Sequence, residues 1–239
     1  MIENLKEMKD AGVDAIKIEG RMKSIYYVAL VTRAYRKALD ALENKITLEE
    51  ATPFIKSLYE VPHRECTTGF YFNRAHADET TVGASDSPYE LAGTIGNQFS
   101  KEEEDKVFNN AQNAEKERIK ELESMHPKMR ENVEKDLLLH PEKNIKYAKK
   151  IPGYNLYQYS SLNKTDTGTT LELISPDILS EKLEGSDYVF INPKNGILLD
   201  WVNPDHDCAI YTPRKINNGT LVRTFDKHYK EGTVRYTGR

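Results

Sequence analysis

The densest run of chemically capable side chains in the sequence is Lys17-Ile18-Glu19-Gly20-Arg21-Met22-Lys23-Ser24. Arg21 offers a planar fork for a carboxylate or a phosphate, Gly20 permits a tight turn, and a helix starting at Ser24 adds backbone donors for an anion. A carboxylate flanked by three cations is equally the composition of a structural ion-pair network. A second cluster is Val61-Pro62-His63-Arg64-Glu65-Cys66-Thr67-Thr68-Gly69-Phe70-Tyr71-Phe72, where a His, an Arg, a Cys and two hydroxyls sit beside an aromatic triplet. That mixture suits acid/base work or anion binding. A single His beside a single Cys, with no Asn or Asp in a recognisable arrangement, reads as structural rather than as a protease dyad. The aromatics are expected to fasten the loop to a core.

Other candidates carry less. His126-Pro127 and His140-Pro141 read as helix terminators, and Asp205-His206-Asp207-Cys208 reads as a turn, with no second ligand set at metal-binding spacing. No Gly-rich phosphate loop, zinc-protease helix or Gly-x-Ser-x-Gly elbow occurs. The two cysteines, Cys66 and Cys208, are too few for a disulfide framework or a four-cysteine metal site.

The elements that must position the first cluster are legible around it. Ile2, Leu5 and Met8 predict a short helix ending at Gly12, and Val13 to Ile18 predicts a strand. Alternation then places Lys17 and Glu19 on the face opposite Ile16 and Ile18, at the carboxyl end where α/β folds place ligands. From Ser24 as N-cap a helix follows, with Val28, Val31, Ala34, Tyr35, Ala38, Leu39 and Leu42 on one face. A second helix starts at the capping box Thr47-Leu48-Glu49-Glu50 and runs to about Leu58. A helix-strand-helix unit belongs to a parallel sheet or barrel, because one strand cannot stand alone.

Residues 61–88 read as a linker, and Tyr89 to Ile95 as a strand. Between Lys101 and Lys150 there are 24 charged residues in 50, twelve of each sign, with no Gly and with Pro127 and Pro141 as breaks. This predicts a solvated helical hairpin of about 15-residue helices, with a narrow apolar stripe through Ile119, Leu122, Met125, Met129 and Val133. It is either a surface insertion or a docking arm for a protein or RNA. Six short β segments then follow between Tyr154 and Thr224, with a further one at Thr233 to Tyr236. Their spacing predicts a small antiparallel barrel or sandwich.

The formal net charge of -4, from 34 basic and 38 acidic residues, excludes a globally basic nucleic-acid binder while leaving local basic patches allowed. No apolar stretch approaches a membrane span, and the start lacks the apolar core of a signal peptide, so a cytoplasmic protein is expected.

The two clusters together resemble the U-32 peptidase family, which includes collagenase-like proteases and proteins that hydroxylate tRNA or ribosomal RNA. The likeness rests on Gly12-Val13-Asp14-Ala15-Ile16-Lys17-Ile18-Glu19-Gly20-Arg21-Met22-Lys23-Ser24, on Tyr27-Val28-Ala29 and on Tyr35-Arg36-Lys37-Ala38-Leu39-Asp40. His63-Arg64 and Thr67-Thr68-Gly69-Phe70-Tyr71-Phe72 are similar to the family's Ser-His-Arg and Thr-Thr-Gly-Phe segment, with Pro62 where Ser is usual. Thr169 to Pro176 and Gly219 to Arg223 resemble its appended β-barrel more loosely.

The resemblance implies a mixed α+β chain: residues 1–60 as the helix-strand-helix end of a TIM-like barrel, 61–88 as linker, and 89–239 as a small antiparallel β-barrel with the charged helical insertion at about 100–150. It implies peptidase-type or prephenate-dependent RNA-hydroxylation chemistry, with Glu19, Arg21, Lys23, His63 and Arg64 as catalytic candidates and Lys17, Tyr27 and Thr68 as substrate-binding ones. An iron-sulfur cluster is implied for full-length relatives, on cysteines that precede the Lys-Ile-Glu-Gly-Arg motif; none is expected in this chain, and Cys66 does not match those positions. The expected partner is the missing N-terminal barrel, in the same gene or a separate subunit, together with tRNA or rRNA and no membrane. The chain is expected to be inactive alone. The alternative is a non-catalytic protein- or RNA-binding module.

Overall fold

The structure, a computed structural model, describes residues 1–63, 66, 68–72, 84–85, 87–230 and 234–235. The chain forms two compact units: Met1–Glu90 with Pro176–Leu179 and Phe225–Arg239, and Leu91–Ser175 with Ser180–Thr224.

The first unit is helical. Helix α1, Leu5–Asp10, stops where Gly12 takes φ +82°, and the amides of Ala11, Gly12 and Val13 close onto the carbonyls of Glu7, Lys9 and Met8. Helix α2, Ile25–Leu42, is capped by Ser24, whose hydroxyl accepts the Tyr27 amide at 3.2 Å. Helix α3, Leu48–Lys56, opens with both halves of the expected capping box, Glu50 N to Thr47 Oγ1 at 3.2 Å and Thr47 N to Glu50 Oε2 at 2.7 Å. A 3₁₀ turn, Ser57–Glu60, continues it.

Helices α2 and α3 pack against each other, and Leu30 and Ala34 of the one and Ala51 of the other are fully buried. The buried face of α2 is Tyr26, Leu30, Val31, Arg33, Ala34 and Ala38, which differs from the stripe read in sequence. The helix is apolar on two sides, and Tyr35, Leu39 and Leu42 instead line an open groove of about 540 Å³. Buried Arg33 donates to the carbonyls of Ile178 and Leu179 at 2.9 and 3.2 Å, which fixes the segment Pro176–Leu179 within this unit.

Val13 to Ile18 does not form the expected strand. The segment runs through the described structure without a ladder partner, because parallel pairing needs a neighbouring strand and none of the described residues supplies one. Short strands β1, Ala84–Ser85, and β12, Val234–Arg235, pair with each other in antiparallel fashion.

The second unit is built on one open, curled sheet. Its strands are β2 (Tyr89–Gln98), β3 (Asn155–Ser161), β5 (Leu171–Ile174), β6 (Glu181–Leu183), β7 (Val189–Ile191), β8 (Leu198–Leu199), β10 (Cys208–Thr212) and β11 (Leu221–Phe225). Their order is β6-β5-β11-β2-β3-β10-β7-β8, so the expected closed barrel is a half-barrel with β6 and β8 as its described edges. β4 (Thr165–Asp166) and β9 (Trp201–Val202) form a separate pair.

Alternation explains the two cores. Tyr157, Tyr159 and Ile210 face one core with Leu171, Leu183, Phe190 and Val222, while Leu156, Ala209 and Tyr211 face the other. That second core is completed by Val107 and Phe108 from helix α4, Lys101–Ser124, whose start is capped by Ser100 and Glu103. A Cβ on Gly196, at φ +68°, would lie 2.4 Å from Ala111 Cβ, so only glycine lets this turn meet α4 so closely.

Helix α5, Pro127–Leu139, buries no residue. The stripe is corrected in part: Ile119 and Met129 are exposed, Leu122, Met125 and Val133 are half-buried, and the buried residues of α4 are Glu104, Val107, Phe108 and Ala111. The Pro breaks fall as read, with Pro127 opening α5 and Pro141 opening a 3₁₀ turn. No helix among the described residues is long and apolar enough to cross a membrane.

Candidate functional site

The charged motif lies on the unpaired run between α1 and α2. Lys17 Nζ stands 3.8 Å from Glu19 Oε2, and both side chains are largely in solvent. The other oxygen of Glu19 accepts the Arg21 amide at 3.1 Å, so the carboxylate closes the turn that Gly20 begins. A Cβ on Gly20 would lie 2.7 Å from Val28 Cγ2, and this close approach seats the turn on the first turns of α2. The amide of Lys23 returns to the Gly20 carbonyl at 3.0 Å, and Lys23 Nζ sits 5.2 Å from the centre of the Tyr27 ring. Met22 is 92% exposed beside it. Glu19 thus orders backbone while keeping an open face, and the motif combines a fixed turn with cations free to meet an anion.

The second cluster is reached along α2. Burial pushes the Tyr35 phenol up, and the nearness of Cys66 and Tyr27 adds to that effect. The Tyr59 phenol is likewise raised, first by burial and then by Cys66 and Glu3. The Tyr59 ring meets the His63 imidazole edge-on, with centroids 5.6 Å apart, and His63 Nδ1 lies 3.9 Å from Cys66 Sγ. Tyr35 therefore links the Lys23–Tyr27 end of the site to the Cys66–His63 end. Sequence reading placed Tyr35 on a helix face and in the family-like segment Tyr35-Arg36-Lys37-Ala38-Leu39-Asp40, but not among the site residues.

Thr68 lies in a turn, its carbonyl accepting the Tyr71 amide at 3.3 Å. Arg64, Glu65 and Thr67 lie outside the described residues. The aromatic triplet is not an anchor: Phe70, Tyr71 and Phe72 are 72, 76 and 57% exposed. Asp205 and His206 lie in the turn expected, with the Asp205 amide donating to Asn203 Oδ1 at 3.2 Å and Asp207 paired with Lys194, while Cys208 opens β10.

The donor set for an iron-sulfur cluster is tested by the same residues. Four thiolates are needed, whereas the chain has two cysteines, and Cys208 is buried with its thiol pushed up to about 12 by desolvation. Among the described residues no group of three or more His, Cys, Asp or Glu side chains converges. These residues do not fit the cluster, and no step is routed through one.

Residues 1–81 match the sequence model of Peptidase family U32. The likeness to that family lies in this segment, about a third of the chain. It is 35% identical over 103 residues to the tRNA hydroxylation protein P1 of Bacillus subtilis, covering 41% of this chain and 24% of that protein. It is 36% identical over 99 residues to the 23S rRNA 5-hydroxycytidine C2501 synthase of Escherichia coli, covering 39% and 15%. An uncharacterized protease of Methanocaldococcus jannaschii matches at 35% over 92 residues, covering 37% and 22%. The chain thus spans about a quarter or less of the length of these relatives. No solved structure matches it.

Proposed function

We propose that the first unit supplies one wall of a U32-type site for RNA hydroxylation and works only against a parallel-stranded barrel, carried by the same polypeptide or by another. The observation that carries this reading is the unpaired extended run from Val13 to Ile18, which ends in Glu19, Gly20 and Arg21. Val13 and Ile16 are exposed, and the groove beside the run is lined by Tyr35, Leu39 and Leu42. An uncovered segment with exposed apolar side chains marks a face that another body covers. The relatives named for tRNA and rRNA hydroxylation favour RNA chemistry over peptide cleavage as the reaction class.

In this reading Arg21 and Lys23 hold an RNA phosphate or another substrate anion, with Lys17 and Tyr27 beside them. Glu19 fixes the Arg21 backbone and presents its carboxylate to the reacting centre. His63 and Arg64 close the site, Thr68 lies on the turn that follows, and the cluster-bearing barrel supplies the redox chemistry.

The test is co-expression of this chain with the cysteine-bearing barrel of a U32 relative, followed by copurification, iron analysis and mass measurement of tRNA and rRNA nucleosides. The expected result is a stable pair that adds one oxygen to a nucleoside, with Glu19→Ala and Arg21→Ala each lowering turnover about a hundredfold or more. Full activity of both variants removes the site. Activity of the chain alone, or stoichiometric iron on it, removes the dependence on a barrel.

A further inference from the structure

Helix α5 lacks the usual supports of a helix of its length. None of its residues is buried, and its N-cap, His126, makes no side-chain capping bond. Isolated helices shorter than about 12 to 15 residues are marginal in water, so this 13-residue helix draws its stability from something packed along it. Met129, Val133 and Leu137 recur at four-residue spacing and form one apolar line, with Met129 exposed and the other two half-buried. Arg130 and Asp136 flank that line on its two sides, Arg130 joined to Glu134 at 2.8 Å and Asp136 to Lys143 at 2.9 Å. Leu138 and Leu139 are more exposed than Met129 and lie round the far side of the helix.

Charge selects what covers the line. Between Pro127 and Leu139 the helix carries three basic residues, Lys128, Arg130 and Lys135, and three acidic ones, Glu131, Glu134 and Asp136. A neutral surface with both signs interleaved does not steer a polyanion such as RNA. It is what a contact between identical copies needs, because there each patch meets itself. When a second α5 is laid antiparallel with the two-fold axis at Val133, Val133 meets Val133 and Met129 meets Leu137 at equal height. Arg130 then stands level with Asp136, Glu131 with Lys135, Glu134 with Asn132 and Lys128 with Leu138, so no like charges share a level. Arg130 and the other copy's Glu134 share one edge of the contact, less than a turn apart along it.

We propose that α5 is a self-association helix: two copies of the chain pair through it in antiparallel fashion, with Met129, Val133 and Leu137 as the seam and the charged edges fixing the direction. Two helices about 20 Å long present less surface than a permanent dimer needs. The pair therefore forms and parts with concentration, in the roughly micromolar range. This contact belongs to the second unit and is independent of the reading of the first as one wall of an RNA-hydroxylation site.

Sedimentation velocity of the full chain across about 1 to 100 μM tests the pairing, and a shift from monomer to dimer is expected within that range. Val133→Glu should raise the dissociation constant about a hundredfold or more, whereas Leu138→Glu, the same kind of change on the far side, should leave it within about twofold. A monomer at every concentration, a dimer that survives Val133→Glu, or equal losses from the two variants overturns the proposal. Should Val133→Glu cost helicity by circular dichroism, a charge exchange decides. Arg130→Glu and Glu134→Arg should each weaken association about tenfold, and the two variants mixed in equal amounts should associate like the unmodified chain. Mixing leaves the pair within each helix broken, so rescue reports a contact between copies, and no rescue overturns it.

Discussion

Among single residues, burial separates charges that matter to stability from charges that do not. Arg223 is 3% exposed and donates through Nε and Nη2 to Glu172 Oε2 at 2.9 and 2.8 Å, and the Ser180 hydroxyl reaches the same oxygen. Arg223→Ala strands a largely buried carboxylate, and urea unfolding should show a loss of about 3 to 5 kcal/mol. Arg130 pairs with Glu134 at 2.8 Å on exposed α5, and Arg130→Ala should change stability by less than about 0.5 kcal/mol. Equal losses in the two variants would refute this ranking. The sequence showed that these side chains are charged but not which of them is desolvated, since that depends on Glu172 and Arg223 meeting across the register of β5 and β11. The same gap explains the aromatic triplet: Phe70 to Phe72 read as core, and only the fold shows them facing solvent.

Among elements, local chemistry was the most legible. Ser24 and Thr47 cap their helices and Gly12 ends the first, because each acts within a few residues of itself, whereas the Ser100 cap of α4 went unread. Strand β6 escaped notice because Glu181-Lys182-Leu183 carries no β pattern and is held by pairing with Leu171 to Leu173. The strand read at Val13 to Ile18 failed for the converse reason, a β-rich pattern without neighbours. The two capping boxes carry a pH signature. Hydrogen bonds from the Thr47 backbone and hydroxyl, and from those of Ser100, hold the carboxyls of Glu50 and Glu103 below their ordinary 4.5. A lowered folded value means stabilisation present above the ordinary value and lost as pH falls through the folded one. Helicity followed by circular dichroism should therefore drop below about pH 4, and the double variant Glu50→Gln with Glu103→Gln should lose that step. An unchanged acid limb in the variant would count against the boxes.

Across the molecule, the second unit holds acids that its core keeps neutral. Desolvation raises the Cys208 thiol from 9.0 to about 12, and raises the phenols of Tyr159 and Tyr188 beyond the ordinary tyrosine range. A folded value above the ordinary one means stability fully present below pH 9 and lost as pH climbs towards 12. Thermal unfolding should thus be flat between about pH 7 and 9 and fall steeply above; a melting temperature held to pH 12 would contradict the burial of these groups. The first unit has a different exposure to risk. Its bare run from Val13 to Ile18 can pair with any free strand, its own copies included. On the proposed reading with the barrel as a separate chain, a cell that makes this chain in excess of that cover holds an adhesive surplus, and the ratio in which the two are synthesised becomes part of what keeps the protein usable.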